Sequence, residues 1–183
     1  MNNNNYIFDR VSINSKKIGN KNLFLAIKGK KKDGHNFLNE ATKNGASYCV
    51  VSKNSKKKYK PIKVKNTFKF LKNLANEKRS LSSAKFIAIT GSTGKTTVKT
   101  MLGNLLQKYS PTYFSPKSYN NHYGVPLSLS NIMPEHNYGV FEIGMSNFNE
   151  IFKLSHMVKP QIGIITNISE AHLENFKSVK DIA

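Results

Sequence analysis

The sequence predicts an α/β protein in two parts, a small N-terminal α/β unit followed by a truncated parallel-sheet domain organised around a phosphate-binding loop. Three observations carry this expectation. Short apolar runs alternate with amphipathic stretches along the second half of the chain, the pattern of parallel strands joined by helices. One such run, "KFIAIT" at 85–90, leads directly into "GSTGKTT" and then into a helical pattern beginning at Lys95. Between the halves, "SLSSAK" at 80–85 has the composition of a linker, which places the boundary after residue 83 and gives parts 1–83 and 84–183.

In the first part, "NLFLAIKG" reads as a strand closed by Gly29. "HNFLNEATKNGA" reads as a helix with Phe37, Leu38 and Ala41 on one side and Gly45 at its stop. "SYCVVS" is a second strand, "KNSKKKYKP" a lysine-rich loop at 53–61, and "IKVK" a short third strand. "NTFKFLKNLANEKRSL" sets Phe68, Leu71, Leu74 and Ala75 at helical spacing, with Asn66 or Thr67 as N-cap. In the second part, "KTTVKTMLGNLLQKY" carries Val98, Met101, Leu102, Leu105 and Leu106 on one face, and "PTYFS", "YGVFEIGM" and "QIGIITNI" are further strands.

Composition narrows the function classes. With 183 residues, 38% apolar content, 11 Phe and 8 Tyr, the chain can build packed cores. The formal net charge of +19 raises the prior for polyanionic partners. Lysine far outnumbers arginine, however, and the basic residues are scattered without a block of Arg and aromatics, so solvated lysines explain the excess and nucleic acid is not the expected partner. The same field would favour the approach of a phosphorylated, carboxylate-rich substrate. A single cysteine, Cys49, excludes an intrachain disulfide and fits a reducing, cytoplasmic setting. No apolar export segment opens the chain, and no run of about 18 apolar residues supports a membrane span.

In a phosphate-binding loop, glycines let backbone N–H groups converge on anionic oxygens, a lysine neutralises the terminal phosphates, and the next hydroxyl completes a Mg²⁺ shell. Gly91, Ser92, Thr93, Gly94, Lys95, Thr96 and Thr97 are placed for this, although Ile89 stands where the common pattern has its first glycine. Phosphoryl transfer also needs an acid for the metal at the end of a neighbouring strand. Glu142 lies inside the apolar run "YGVFEIGM", where an ionised carboxylate is costly unless paired; metal contact is the functional reading, a backbone-bonded carboxylate the bland one. His172 follows the strand "QIGIIT" on the expected ligand side of the sheet.

Three segments together resemble the Mur ligase family, the ATP-dependent amide-bond ligases of peptidoglycan precursor synthesis: "TGSTGKTT", Glu142 after an apolar strand, and His172 after a T-N motif. Four signatures look like the branch that adds a dipeptide: "LFLAIKGKKKDGHNF", "SYNNHYGVPLSL", "FEIGMSNFNEI" and "AHLENFKS", the last with Ala171 where sister branches have an acid. The resemblance implies that ATP phosphorylates the terminal carboxylate of UDP-N-acetylmuramoyl-tripeptide and that the amine of D-alanyl-D-alanine attacks the acyl phosphate. It assigns charge stabilisation to Lys95, Mg²⁺ to Thr96 and Glu142, and a second Mg²⁺ to His172, the three catalytic positions being Lys95, Glu142 and His172. Asn120 and Asn121 resemble the family's substrate-side pair, with a turn role as the alternative. The family's first-domain "DSR" is here Asn14, Ser15 and Lys16, so Ser15 and Lys16 are the expected UDP contacts, without the bidentate guanidinium. His35 is open between a structural and a uridine-proximal role.

The resemblance makes the first part a UDP-substrate domain and the second a partial ATP-binding domain, with the C-terminal domain absent. Ala183 precedes the family's carbamylated lysine, so the chain alone is expected to be inactive or very weak, and monomeric. The competing expectations are another ligase branch, a basic nucleic-acid-binding module and a different P-loop enzyme such as a small-molecule kinase. "SYNNHYGVP" and "AHLENF" disfavour the kinase, having no place in its mechanism.

Overall fold

A computed structural model describes residues 7–29 and 31–170. The chain forms two compact units, Met1–Leu74 and Ala75–Ala183. The division falls inside a helix, ahead of the Ser-rich stretch that suggested the boundary in the sequence.

The first unit contains strands β1 (Arg10–Ser12), β2 (Asn22–Leu25), β3 (Ala46–Val51) and β4 (Pro61–Lys63), the short helix α1 (Leu38–Lys43) and the start of α2 (Thr67–Leu81). The sheet runs β1-β2-β3-β4 and every pairing is parallel. Its core joins Phe24, Cys49 and Val51 to Leu38 and Ala41 of α1. The α1 helix starts later than the apolar pattern suggests, because Gly34–Phe37 forms a 3₁₀ turn capped by the Asp33 side chain. Asn66 rather than Thr67 caps α2: its Oδ1 accepts from Lys69 N at 2.8 Å, while the buried Thr67 hydroxyl donates to Ala26 O. Cys49 is buried and free, and burial pushes its thiol up.

The second unit contains β5 (Lys85–Thr90), α3 (Lys95–Gln107), β6 (Thr112–Phe114), α4 (Gly124–Leu129), β7 (Tyr138–Glu142), α5 (Glu150–Val158) and β8 (Ile162–Ile165). The strand order is β6-β7-β5-β8, again all parallel. Strand β5 is buried on both faces, as its unbroken apolar sequence requires. Phe86 and Ala88 face a core shared with Val125, Leu129, Leu154 and Val158 from α4 and α5, where Phe86 stacks on Phe141 at 5.4 Å. Ile87 and Ile89 face Val98, Leu102 and Leu106 of α3. The expected apolar stripe of α3 is therefore too wide: Met101 and Leu105 are 68% and 52% exposed, because of its apolar residues only the 98, 102, 106 row packs on the sheet, beside the buried Lys99 and Gly103. Arg79 lies over the Phe86 ring at 4.0 Å and donates to the carbonyls of Val158 and Lys159, capping the end of α5.

Because α3 leaves β5 toward one face and α5 leaves β7 toward the other, these neighbouring strands form a topological switch point. The crevice at their C-terminal ends is where open α/β sheets bind ligands. Register aligns those ends: Ile89 pairs with Glu142, and Thr90 with Ile165.

Candidate functional site

The loop from Gly91 to Gly94 fills that crevice. Gly91 has φ +132°, and a Cβ there would lie 2.2 Å from Thr166 Oγ1 and 2.9 Å from Asn167 O. Neither the backbone conformation nor the space admits a side chain. Gly94, also at positive φ, is the N-cap of α3 and makes no side-chain cap bond, and no acidic residue lies in the helix's first turn. The first amides of a 13-residue helix thus open into the crevice with the positive end of its dipole.

Residues just after β8 brace this loop from behind. Asn167 accepts from Ser92 N through its carbonyl at 3.0 Å and from Thr93 N through Oδ1 at 2.9 Å, while its Nδ2 donates to Thr93 Oγ1 at 2.7 Å. Thr166 Oγ1 donates to Thr90 O and Thr93 O, and Ser92 exchanges two hydrogen bonds with the Ser169 backbone. The T-N motif noted in the sequence is thus the strap that gives the loop its shape. Lys95 folds back over the loop, with Nζ donating to Gly91 O at 2.5 Å and Ser92 O at 3.1 Å.

Glu142, at the end of β7, is 1% exposed. The structure brings it to the loop: Thr96 Oγ1 donates to Glu142 Oε2 at 2.8 Å, and Asn120 Nδ2 donates to Oε1 at 2.8 Å. The buried Lys99 places Nζ 3.6 Å from Oε2 and also donates to Lys117 O. Burial pushes the Lys99 ammonium below the usual lysine range, and the neighbouring Glu142 opposes that shift. Among the described residues the partners of Glu142 are three side chains, those of Thr96, Asn120 and Lys99, rather than backbone groups. Asn121 Oδ1 accepts from Tyr123 N and Gly124 N, capping α4, so its turn role is realised.

Thr97 lies in the first turn of α3 beside Thr96 and is exposed. Ser15 and Lys16 belong to the first unit. There the Ser15 hydroxyl is buried and donates to Glu40, while Lys16 is exposed with its amide bonded to Asn14 Oδ1. His35 is tied by Nδ1 to Asp33 at 2.6 Å and accepts from Ser52 N at 3.0 Å through Nε2, a structural clasp between the 3₁₀ turn and the end of β3. His172 lies outside the described residues. Sequence reasoning passed over Lys99, Ser118 and the bracing role of Asn167. Lys99 shares a helix side with Thr96 and Gly103, and that stripe of one lysine among small residues was the available signal.

A doubly wound parallel sheet with a glycine loop at its switch point places the second unit in the P-loop class of folds. Residues 89–183 match the model of the Mur ligase middle domain, and residues 8–79 that of the Mur ligase family catalytic domain. The chain belongs to the Mur ligase family. Relatives named UDP-N-acetylmuramoyl-tripeptide–D-alanyl-D-alanine ligase include that of Rickettsia prowazekii, 42% identical over 96% of this chain, and that of Escherichia coli, 33% identical over 96%. The chain spans 39% of the length of each. Among solved structures, MurF from Acinetobacter baumannii superimposes with TM-score 0.80 at 35% identity, covering 94% of this chain and 38% of that one. MurF from Thermotoga maritima in complex with ADP superimposes with TM-score 0.77 at 32% identity, covering 97% and 42%. Among the described residues, no helix is long and apolar enough to cross a membrane.

Proposed function

We infer that this chain supplies the N-terminal and nucleotide-binding parts of an ATP-dependent ligase that adds D-alanyl-D-alanine to UDP-N-acetylmuramoyl-tripeptide in peptidoglycan precursor synthesis. The observation that carries the reading is the hydrogen bond from Thr96, in the first turn after the phosphate loop, to Glu142 at the end of the adjacent strand. It joins the two halves of a metal–nucleotide site. A threonine hydroxyl and a carboxylate are hard oxygen donors of the kind Mg²⁺ takes, and the glycine loop presents amides suited to phosphate oxygens, so the residues fit both groups. When bound, Mg²⁺·ATP supplies the phosphoryl group and the Lewis acid that transfer to a carboxylate needs.

The chain's own contribution is position and charge. The amides that open the helix, 94–97, hold phosphate oxygens on the loop 91–97 that Asn167 braces through the Ser92 and Thr93 amides, and Lys95, released from the Gly91 and Ser92 carbonyls, balances charge on the transferring group. Thr96 and Glu142 hold the metal, and His172 is the proposed second metal ligand. Asn120 and Asn121, set in place by Glu142 and by the α4 cap, are the proposed substrate-side pair. In the proposed UDP-substrate domain, 1–83, the exposed Lys16 is the UDP contact and Ser15 shapes the turn that presents it; 84–183 is the proposed ATP domain. Cytoplasmic action as a monomer belongs to the same proposal.

The test is calorimetric binding of ATP to the wild-type chain and to Lys95→Ala, with and without Mg²⁺. The reading expects Mg²⁺-dependent affinity that Lys95→Ala weakens by about tenfold or more. Equal, Mg²⁺-independent affinity in both would remove it. Saturable binding of the UDP-linked tripeptide, against none for UDP-N-acetylmuramate alone, tests the branch.

A further inference from the structure

Lys99 has no part in the reading above, yet it is as deeply buried as Glu142, each at 1% exposure. Its ammonium stands 3.6 Å from Glu142 Oε2 and donates to the carbonyl of Lys117, a residue held in the left-handed region at φ 55°. Thr96 reaches the same segment through Ser118 at 3.0 Å, and Asn120 reaches Glu142. Lys99 therefore does two things at once. It sets a cation beside the buried carboxylate that faces Thr96, and it pins the 117–120 segment that carries Asn120.

The charge balance has a consequence for the metal. Among the described residues there is no group of three or more His, Cys, Asp or Glu side chains that could hold an ion. Glu142 is the carboxylate at Thr96, and its charge is already offset by a fixed ammonium. A divalent cation arriving by itself meets a neutral pair; phosphates on the loop would add the negative charge that retains it.

We propose that Lys99 is a positioning residue that makes divalent-metal binding conditional on nucleotide: it stands in for the metal beside Glu142 while the site is empty, so the metal is held only together with a polyphosphate. This rests on the nucleotide reading of the loop.

The test is thermal unfolding of the full chain, wild type and Lys99→Met, with no addition, with 10 mM Mg²⁺ alone, with ATP, and with both. The expected result is a wild-type midpoint that Mg²⁺ alone leaves within about 1 °C and that Mg²⁺ with ATP raises beyond ATP alone. In Lys99→Met the metal replaces the lost cation, and Mg²⁺ alone raises the midpoint by about 3 °C or more. Lys99→Gln, which retains a donor toward Lys117 O without the charge, is expected to behave likewise and serves if the Met variant does not fold. Stabilisation of the wild type by Mg²⁺ alone overturns the proposal, as does a folded Lys99 variant indifferent to Mg²⁺. If neither variant folds, the wild-type comparison decides. A wild type that responds to no combination of Mg²⁺ and ATP instead defeats the underlying nucleotide reading.

Discussion

Replacing Glu142 with leucine tests the electrostatic centre of the site most severely. The substitution leaves the Lys99 ammonium, 1% exposed, with the Lys117 carbonyl as its acceptor, and takes the acceptors from Asn120 Nδ2 and Thr96 Oγ1. Breaking a buried pair by removing one partner costs about 3–5 kcal/mol, and a stranded amide adds about 1–3 kcal/mol. Deprotonation of Lys99, whose ammonium burial already disfavours, relieves part of this, so a net cost of about 4 kcal/mol is expected, near a thousand-fold in the folding equilibrium. The double variant Glu142→Leu with Lys99→Met removes both charges and leaves the Asn120 amide without its carboxylate acceptor, so it is expected to lose about 1–3 kcal/mol, less than the two single losses added. Urea unfolding followed by far-UV circular dichroism measures all three, since the chain has no tryptophan to report by fluorescence. A single-variant cost below about 1 kcal/mol, or additive costs in the double variant, would refute the pairing.

Three further outcomes follow from the geometry. Gly91→Ala meets both a left-handed backbone and Thr166 Oγ1 at 2.2 Å, so it should lose ATP affinity by more than tenfold in calorimetry, about 1.4 kcal/mol or more, with Gly94→Ala milder because its nearest neighbour is 3.9 Å away. Asn167→Ala removes two bonds to Thr93 while the backbone bond to Ser92 persists, and should weaken ATP binding about tenfold with little change in overall stability. In the first unit, hydrogen bonds from Lys53 and His35 hold the Asp33 carboxyl well below its ordinary range. Its contribution, on the order of 1 kcal/mol after solvent screening, is therefore present above the unfolded carboxylate range near pH 4 and is lost as pH falls toward the folded value; Asp33→Asn should destabilise at pH 7 and flatten the acid limb of the stability curve.

What the sequence revealed, and what it hid, follows physical lines. The β5–loop–α3 unit was legible because all its signals are local: an apolar run, two glycines and an amphipathic helix starting at Lys95. Glu142 was legible because a carboxylate inside an apolar run demands a partner. Its partners were not, since Lys99 and Asn120 come from segments brought together only by the sheet order. Helix α4 escaped notice because all six of its residues are buried and carry no amphipathic contrast, and Pro126 lies among them. Strand β1 has three residues with Val11 alone buried, too short for an alternation to show.

The most direct test is a crystal structure of the chain grown with a non-hydrolysable ATP analogue and Mn²⁺, with diffraction recorded at the manganese edge. The account predicts an anomalous peak beside Thr96 Oγ1 and Glu142, with the β- and γ-phosphates over the amides of 94–97 and Lys95 turned from the loop carbonyls toward them. A peak elsewhere, or a nucleotide bound away from the loop, would contradict it.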